Sequence, residues 1–128
     1  MPGYSAAVLD RMRNPQRVGT LPESAEVGTG EAGSLDAGTF ARIQVRVRQG
    51  RIVEARFKVF GCSAAIAATG LVTEWLEGAS LEDARWFTAE RVVEHLDLPA
   101  ERAHVAGVAV DAARQAVRDA GEKAGQQS

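Results

Sequence analysis

Apolar and polar residues alternate along two neighbouring stretches in the middle of the chain. Within residues 42–48 every second residue is apolar, and residues 53–59 repeat the pattern with Val53, Ala55 and Phe57 among the apolar positions. A period of two puts the apolar side chains on one face of a strand. Gln49-Gly50 between the stretches suits a tight turn. The pattern predicts an antiparallel hairpin with one buried face and one arginine-rich, solvated face.

Helical spacing of apolar residues replaces this alternation on both sides of the hairpin. A short helix is predicted over residues 5–13, and a largely buried helix over residues 64–77. Ser80 and Thr88 are each followed by apolar residues at helical spacing, so each is expected to cap a short helix. A last helix is predicted over residues 100–120.

The order of these elements defines a fold class. Residues 17–38 are rich in Gly, Ser, Thr and Glu and are expected to form loops or an irregular edge strand. Strands followed by a run of helices predict an α+β domain, with a small antiparallel sheet of about three strands covered on one face by helices. We expect one domain over residues 1–121 and a frayed polar tail over residues 122–128.

Composition and charge narrow the functional classes. The chain has 128 residues and a formal net charge of −2, which argues against an electrostatic surface for nucleic acid or an anionic membrane. Charges at Asp10, Arg11 and Arg13 interrupt any signal-peptide core, and no run of about twenty apolar residues occurs. Cys62 is the single cysteine, so no intrachain disulfide can form. A reducing, cytoplasmic setting is therefore expected.

Cys62 is the first candidate for chemistry. It follows a predicted strand and precedes a predicted helix, so its sulfur should lie near unpaired backbone N–H groups and the positive end of the helix dipole. A thiolate favoured in this way could bind a soft metal, accept a sulfur atom or act as a nucleophile. The alternative is a small buried hydrophobic residue, since free cysteine is among the most buried residue types.

Two further residues could contribute ligands. His104 lies in the first turn of the last helix, where it is either a metal ligand or a surface residue. Asp36, in a glycine-flanked loop, could offer a carboxylate or could serve only the turn. The sequence contains no Gly-x-Ser-x-Gly, phosphate loop, Cys-x-x-Cys or His-Glu-x-x-His motif, so no conventional catalytic set is recognised.

Ordered segments along nearly the whole chain, from Tyr4 to about Val117, resemble one known family. They include Tyr4-Ser5, Asn14-Pro15, Val27-Gly28-Thr29-Gly30, Ile43-Gln44-Val45, Ser80-Leu81-Glu82-Asp83-Ala84, Leu98-Pro99 and Asp111-Ala112, and they are most specific at Ala55-Arg56-Phe57-Lys58-Val59-Phe60-Gly61-Cys62-Ser63-Ala64. In these segments the chain resembles the IscU and NifU N-terminal type of iron–sulfur cluster assembly scaffold. The resemblance implies that the chain has the fold of this family and a non-enzymatic role in holding iron and sulfur.

The chain departs from this family at its ligands. The family builds its cluster on three cysteines, because thiolates hold iron well. Only the middle one is present, as Cys62, whereas Ala37 and Val105 match the other two positions. Thr39 matches the position of an aspartate that aids cluster release in the family.

The resemblance also implies partners. A cysteine desulfurase would dock on a broad surface and deliver sulfur to Cys62. The family's Leu-Pro-Pro-Val-Lys segment, which an Hsp70-type chaperone recognises, is changed here to Leu98-Pro99-Ala100-Glu101-Arg102. This change argues against release of a cluster by that chaperone.

The resemblance leaves three functions open. Cys62, His104 and Asp36 could form a mixed site for iron or zinc, but a two-iron cluster takes four terminal ligands and one chain supplies too few. A homodimer could combine two copies each of Cys62 and His104. The alternatives are a degenerate paralogue that acts as an interaction module on the desulfurase, and a persulfide carrier that uses Cys62 alone.

Overall fold

The computed structural model describes residues 4–126. Along this range the elements are α1 (Ala6–Arg13), β1 (Val27–Ser34), β2 (Thr39–Arg48), β3 (Arg51–Phe60), α2 (Ser63–Leu76), α3 (Leu81–Ala84), α4 (Ala89–Leu96), a 3-10 turn (Ala100–Arg102) and α5 (His104–Gln126). The strands form an antiparallel sheet in the order β1-β2-β3. The predicted α+β class and three-stranded sheet are confirmed, and residues 17–38 contain a regular edge strand.

The β2–β3 hairpin forms as predicted, with one change of face. Gln49 and Gly50 make the turn with φ of 53° and 75°, the left-handed conformation that tight hairpins favour. The register shifts after the Arg46↔Glu54 pair, because the next pair is Val47↔Ile52. This bulge leaves Ile52 fully buried and Val53 49% exposed. The prediction that Val53 lies on the buried face was wrong, since alternation alone does not reveal a bulge.

Glutamates neutralise the polar face of the sheet. The guanidinium of Arg42 lies 2.7 Å from Glu31, that of Arg46 3.2 Å from Glu54, and that of Arg48 3.4 Å from Glu26. Gln44, on the same face, is buried because the loop between α1 and β1 crosses it. Its Oε1 accepts a 2.8 Å hydrogen bond from the Leu21 N–H of that loop. The face is thus only partly solvated.

Helix α5 lies directly against β1. A Cβ atom on Gly28 would stand 2.2 Å from the carbonyl oxygen of Ala116, and one on Gly30 would stand 2.1 Å from that of Ala112. These distances are shorter than any non-bonded contact, so the two backbones can approach only because both positions are glycine. No helix within residues 4–126 combines the length and the hydropathy needed to span a membrane.

The helix boundaries agree with the caps predicted at Ser80 and Thr88, show a further cap at Ser5, and differ from the prediction at the last helix. The side chains of Ser5, Ser80 and Thr88 each accept a hydrogen bond from a backbone N–H in the first turn that follows. Residues 100–102 form a 3-10 turn, and α5 continues to Gln126 where a frayed tail was predicted. Lys123 stabilises this extension, because its Nζ donates to the carbonyl of Val27 at 2.8 Å. Residues 127 and 128 of the predicted tail lie outside the described range.

Glu77, at the end of α2, joins three parts of the fold. Its carboxylate accepts hydrogen bonds from Arg17 at 2.6 Å, from the Ala55 N–H at 2.9 Å and from Arg56 at 3.3 Å. Burial alone would raise the pKa of Glu77, but the Ala55 N–H bond and the two guanidinium groups outweigh burial and lower it below 4.5. The ionised carboxylate therefore stabilises the folded state.

The packing of α5 predicts opposite effects for two glycine substitutions. Gly30→Ala should lower the free energy of unfolding by about 1–3 kcal/mol or more, because the new methyl group meets the α5 backbone. Gly107→Ala, in α5 with no atom within 4 Å of the new methyl, should raise it by up to about 1 kcal/mol. Urea unfolding measures both. Equal midpoints for Gly30→Ala and the unsubstituted protein would contradict the close approach.

Glu77 predicts a pH dependence of stability. Its pKa is lower in the folded state than in the unfolded chain, so its contribution is complete above pH 4.5 and is lost as the pH falls through the folded value. At pH 7, Glu77→Gln should lose about 1–3 kcal/mol of unfolding free energy, and this difference should shrink below pH 4.5. Urea unfolding across pH 3–7 tests this.

Glu94→Gln is the matched control, since Glu94 is exposed and has no ion pair within residues 4–126. If the difference in unfolding free energy between Glu77→Gln and the unsubstituted protein stays constant with pH, the ionised carboxylate is not the cause of that difference.

Candidate functional site

Three segments meet at one end of the sheet. Phe40 pairs with Phe60 at the ends of β2 and β3, and a Cβ on Gly61 would lie 3.5 Å from the carbonyl oxygen of Gly38. The β1–β2 turn therefore borders the β3–α2 junction. A Cβ on Gly33 would lie 3.2 Å from Val108, which brings the start of α5 to the same end. These segments carry the predicted site residues.

Cys62 occupies the N-cap position of α2. It is half-buried against the core, with φ −78° and ψ 175°, and its side chain makes no capping hydrogen bond. The sulfur is therefore not used to cap the helix. It lies beside the unpaired N–H groups at the start of a 14-residue helix, which favours negative charge there. The prediction of a strand-to-helix cysteine is confirmed, and full burial is not observed.

Arg102 was not singled out from the sequence, although its charge interacts with that of Cys62. Its Nε donates a 3.3 Å hydrogen bond to the Tyr4 hydroxyl. The pKa of Arg102 is raised above its ordinary value by this bond, by the charge interaction with Tyr4 and by that with Cys62. The 3-10 turn at Ala100–Arg102 places this cation, and neither periodicity nor a motif predicts such a turn.

His104 and Asp36 are both exposed. His104 begins α5, and Asp36 lies in the β1–β2 turn, where Ser34 Oγ rather than Asp36 accepts the hydrogen bond from the Ala37 N–H. Within residues 4–126 no group of three or more His, Cys, Asp and Glu side chains is placed to hold a metal ion. The structure therefore does not gather Cys62, His104 and Asp36 into one three-ligand site.

The residues at the other two ligand positions differ in environment. Ala37 is exposed in the β1–β2 turn, whereas Val105 is 1% exposed and belongs to the core. Thr39 is also buried. Of the three ligand positions, only that of Cys62 combines partial exposure with a side chain that suits iron or sulfur. Two large apolar residues at the same end, Leu35 and Phe60, are 64% and 56% exposed and give this end an apolar rim.

Three kinds of comparison identify similar proteins. The NifU-like N terminal domain family matches residues 3–127. The iron-sulfur cluster assembly scaffold protein IscU of Azotobacter vinelandii is 41% identical over 124 residues, which cover 95% of this chain and 97% of that protein. IscU of Escherichia coli K12 is 39% identical over 118 residues, covering 91% and 92%. Iron-sulfur cluster assembly protein 1 of Arabidopsis thaliana is 38% identical over 123 residues, covering 94% and 74%.

Solved structures support the same fold. A putative iron-sulfur cluster assembly scaffold protein for the SUF system from Fervidobacterium islandicum superposes with a TM-score of 0.69 at 16% identity, covering 89% of this chain and 96% of that one. A NifU-like protein (N-terminal) from Brucella abortus gives a TM-score of 0.67 at 21% identity, covering 93% and 94%.

The position of Arg102 predicts the reactivity of Cys62. Arg102→Gln removes a cation whose charge interacts with Cys62 and should slow alkylation of Cys62 by iodoacetamide slightly, because a solvent-screened attraction to the reacting sulfur is lost. The difference should shrink at high salt. Mass spectrometry of Cys62 over time measures the rate.

Arg13→Gln provides the control, since Arg13 is exposed and belongs to α1. If both variants react at the rate of the unsubstituted protein, Arg102 does not influence the thiol.

Proposed function

Because the chain belongs to the NifU-like N-terminal domain family, whose members include IscU scaffold proteins, we propose that it is an iron–sulfur cluster assembly scaffold-like protein. In this proposal Cys62 accepts sulfur from a cysteine desulfurase. The observation that carries it is the half-buried thiol at the start of α2, which is free of any capping bond.

The sulfur transfer is a thiol exchange. The Cys62 thiolate attacks the terminal sulfur of a persulfide on the desulfurase, a new S–S bond forms at Cys62, and the desulfurase cysteine leaves as a thiolate. Arg102 and the N-terminus of α2 would stabilise the negative charge before attack. Conversion of this sulfur to sulfide requires two electrons from an external reductant, which the assay below supplies as dithiothreitol.

Iron would be cargo on this surface. Cys62 offers a thiolate and His104 an imidazole, and Asp36 would add a carboxylate from the turn. Because one chain provides too few ligands for a cluster, the remaining positions would be filled by small thiols or by Cys62 and His104 of a second copy. Zinc would compete for the same donors.

A persulfide carrier is the second candidate. It is favoured by Val105, which fills a ligand position with buried apolar surface, and by Ala37, which offers no donor. A carrier needs only Cys62. An interaction module that occupies the desulfurase would need the fold without the thiol. All three roles are non-enzymatic, and we propose that they operate in the reducing cytoplasm.

Recognition by an Hsp70-type chaperone is not part of the proposal. Such binding needs an extended, accessible peptide, whereas residues 100–102 form a 3-10 turn and Leu98 is buried. Arg102 is also engaged with Tyr4. Release of the cargo would therefore follow another route.

Reconstitution distinguishes the candidates. The protein is incubated anaerobically with ferrous iron, cysteine, dithiothreitol and a cysteine desulfurase. Visible absorbance then detects a cluster, and native mass spectrometry gives the mass of the species bound to the protein. The scaffold function predicts charge-transfer bands and a cluster mass that Cys62→Ala lacks. A parallel incubation omits dithiothreitol, because this thiol would reduce a persulfide on Cys62. Added sulfur mass at Cys62 in that incubation, with no iron bound in either one, would contradict the scaffold function and identify a carrier.

Two controls sharpen the result. Desulfurase binding that persists in Cys62→Ala while the unsubstituted protein gains neither sulfur nor iron would identify an interaction module. The double variant Ala37→Cys/Val105→Cys supplies the missing thiols. If this variant holds a cluster and the unsubstituted protein does not, the fold can carry a cluster and the unsubstituted protein lacks the ligands for it.

A further inference from the structure

A groove lies between the α3–α4 connection and the second half of α5. Its volume is about 500 Å³, and it is lined by Arg85, Arg114, Val117, Arg118, Gly121 and Glu122. Arg85 reaches over α5, because its Nη2 would lie 3.9 Å from a Cβ on Gly121. Three guanidinium groups thus share one concave surface.

These three charges are not neutralised within residues 4–126. The side chains of Arg85 and Arg118 make no hydrogen bond or ion pair there, and the side chain of Arg114 donates only to the carbonyl of Phe87 at 2.8 Å. Glu122, the one carboxylate lining the groove, is beyond ion-pair distance of all three. By contrast, four sheet arginines, Arg42, Arg46, Arg48 and Arg56, lie within 3.4 Å of glutamates.

An exposed tryptophan stands next to Arg85 in the sequence. Trp86 follows Arg85 and is 74% exposed, the largest exposed fraction among the big apolar residues of the described range. Tryptophan and arginine are the residue types most enriched in interface hot spots. Arg114 and Arg118 stand one turn apart on α5, a spacing at which like charges destabilise a helix.

We propose that this arginine groove, together with Trp86, docks an acidic segment of a partner protein. Carboxylates would bind the guanidinium forks of Arg85, Arg114 and Arg118, and an apolar side chain between them would pack on Trp86. Arg114 is already oriented by its bond to Phe87, so little ordering is needed when it binds.

The surroundings favour an acidic protein segment over phosphate or nucleic acid. Residues 114–122 lie inside α5, so their backbone N–H groups are used by the helix and form no nest for a phosphate. The basic surface is confined to the three arginines of the groove, and the chain as a whole has a net charge of −2. Nucleic acid requires a broader basic surface.

This surface is separate from the thiol site. Arg114 and Arg118 lie 10 and 14 residues beyond His104, or about 15 and 21 Å along the helix axis. A partner bound in the groove would leave Cys62 accessible. The inference therefore does not depend on the scaffold function.

The test uses the full chain and a fluorescein-labelled helical peptide that carries Glu and Asp at every third or fourth position and one central Leu. Fluorescence polarisation measures its affinity for the unsubstituted protein and for Arg85→Ser/Arg118→Ser, which retains the Arg114 bond to Phe87. We expect affinity to fall about tenfold or more in the double variant and to fall in Trp86→Ala. Circular dichroism checks that each variant is folded.

Arg13→Ser/Lys58→Ser is the matched control, because it removes the same charge from exposed positions outside the groove. The proposal predicts an affinity within about twofold of the unsubstituted protein for this control. Equal losses in both double variants, or no binding of the acidic peptide, would overturn it. Tighter Arg85- and Arg118-dependent binding of pyrophosphate or of a DNA oligonucleotide would also overturn it.

Discussion

The contact between the α5 backbone and the glycines of β1 is the constraint on which both the proposed thiol site and the proposed arginine groove depend. Any side chain larger than hydrogen at Gly28 or Gly30 would displace the helix, because carbonyl oxygens of α5 stand where a Cβ would be. With this contact fixed, the first turn of α5 lies at the end of the sheet that carries Cys62. The same helix, about 34 Å long, then carries Arg114 and Arg118 to the α3–α4 connection.

Some charged side chains are paired within the fold, whereas others have no carboxylate partner among the described residues. Arg42 and Arg46 on the sheet are paired with glutamates, and Glu77 receives two guanidinium groups and a backbone N–H, so these charges stabilise the fold. Arg102 interacts with Tyr4 and with the thiol, and the groove arginines lack carboxylate partners within residues 4–126. A protein close to neutral can therefore present two local positive surfaces. Net charge alone does not reveal them.

Sequence patterns predicted much of the fold because local physics determines it. The hairpin turn at Gln49-Gly50, the caps at Ser80 and Thr88 and the buried helix after Cys62 depend on neighbouring residues. The Val53 bulge and the extension of α5 depend on tertiary contacts, such as that of Lys123 with Val27, which periodicity cannot show. The position of Cys62 at the start of a helix was predicted. The position of Arg102, whose charge interacts with Cys62, depends on an irregular turn that no sequence pattern predicts. The groove joins residues about thirty positions apart, so no local pattern contains it.

The presence of a single cysteine has a kinetic consequence. Many sulfur-handling proteins discharge an oxidised or persulfidated cysteine with a second thiol of the same chain, at a rate independent of concentration. Here Cys62 has no such resolving partner. Every step that removes sulfur or reverses oxidation at this position is therefore bimolecular. The lifetime of a modified Cys62 is set by the supply of external thiols or of a second protein molecule, and by how readily they reach a half-buried sulfur.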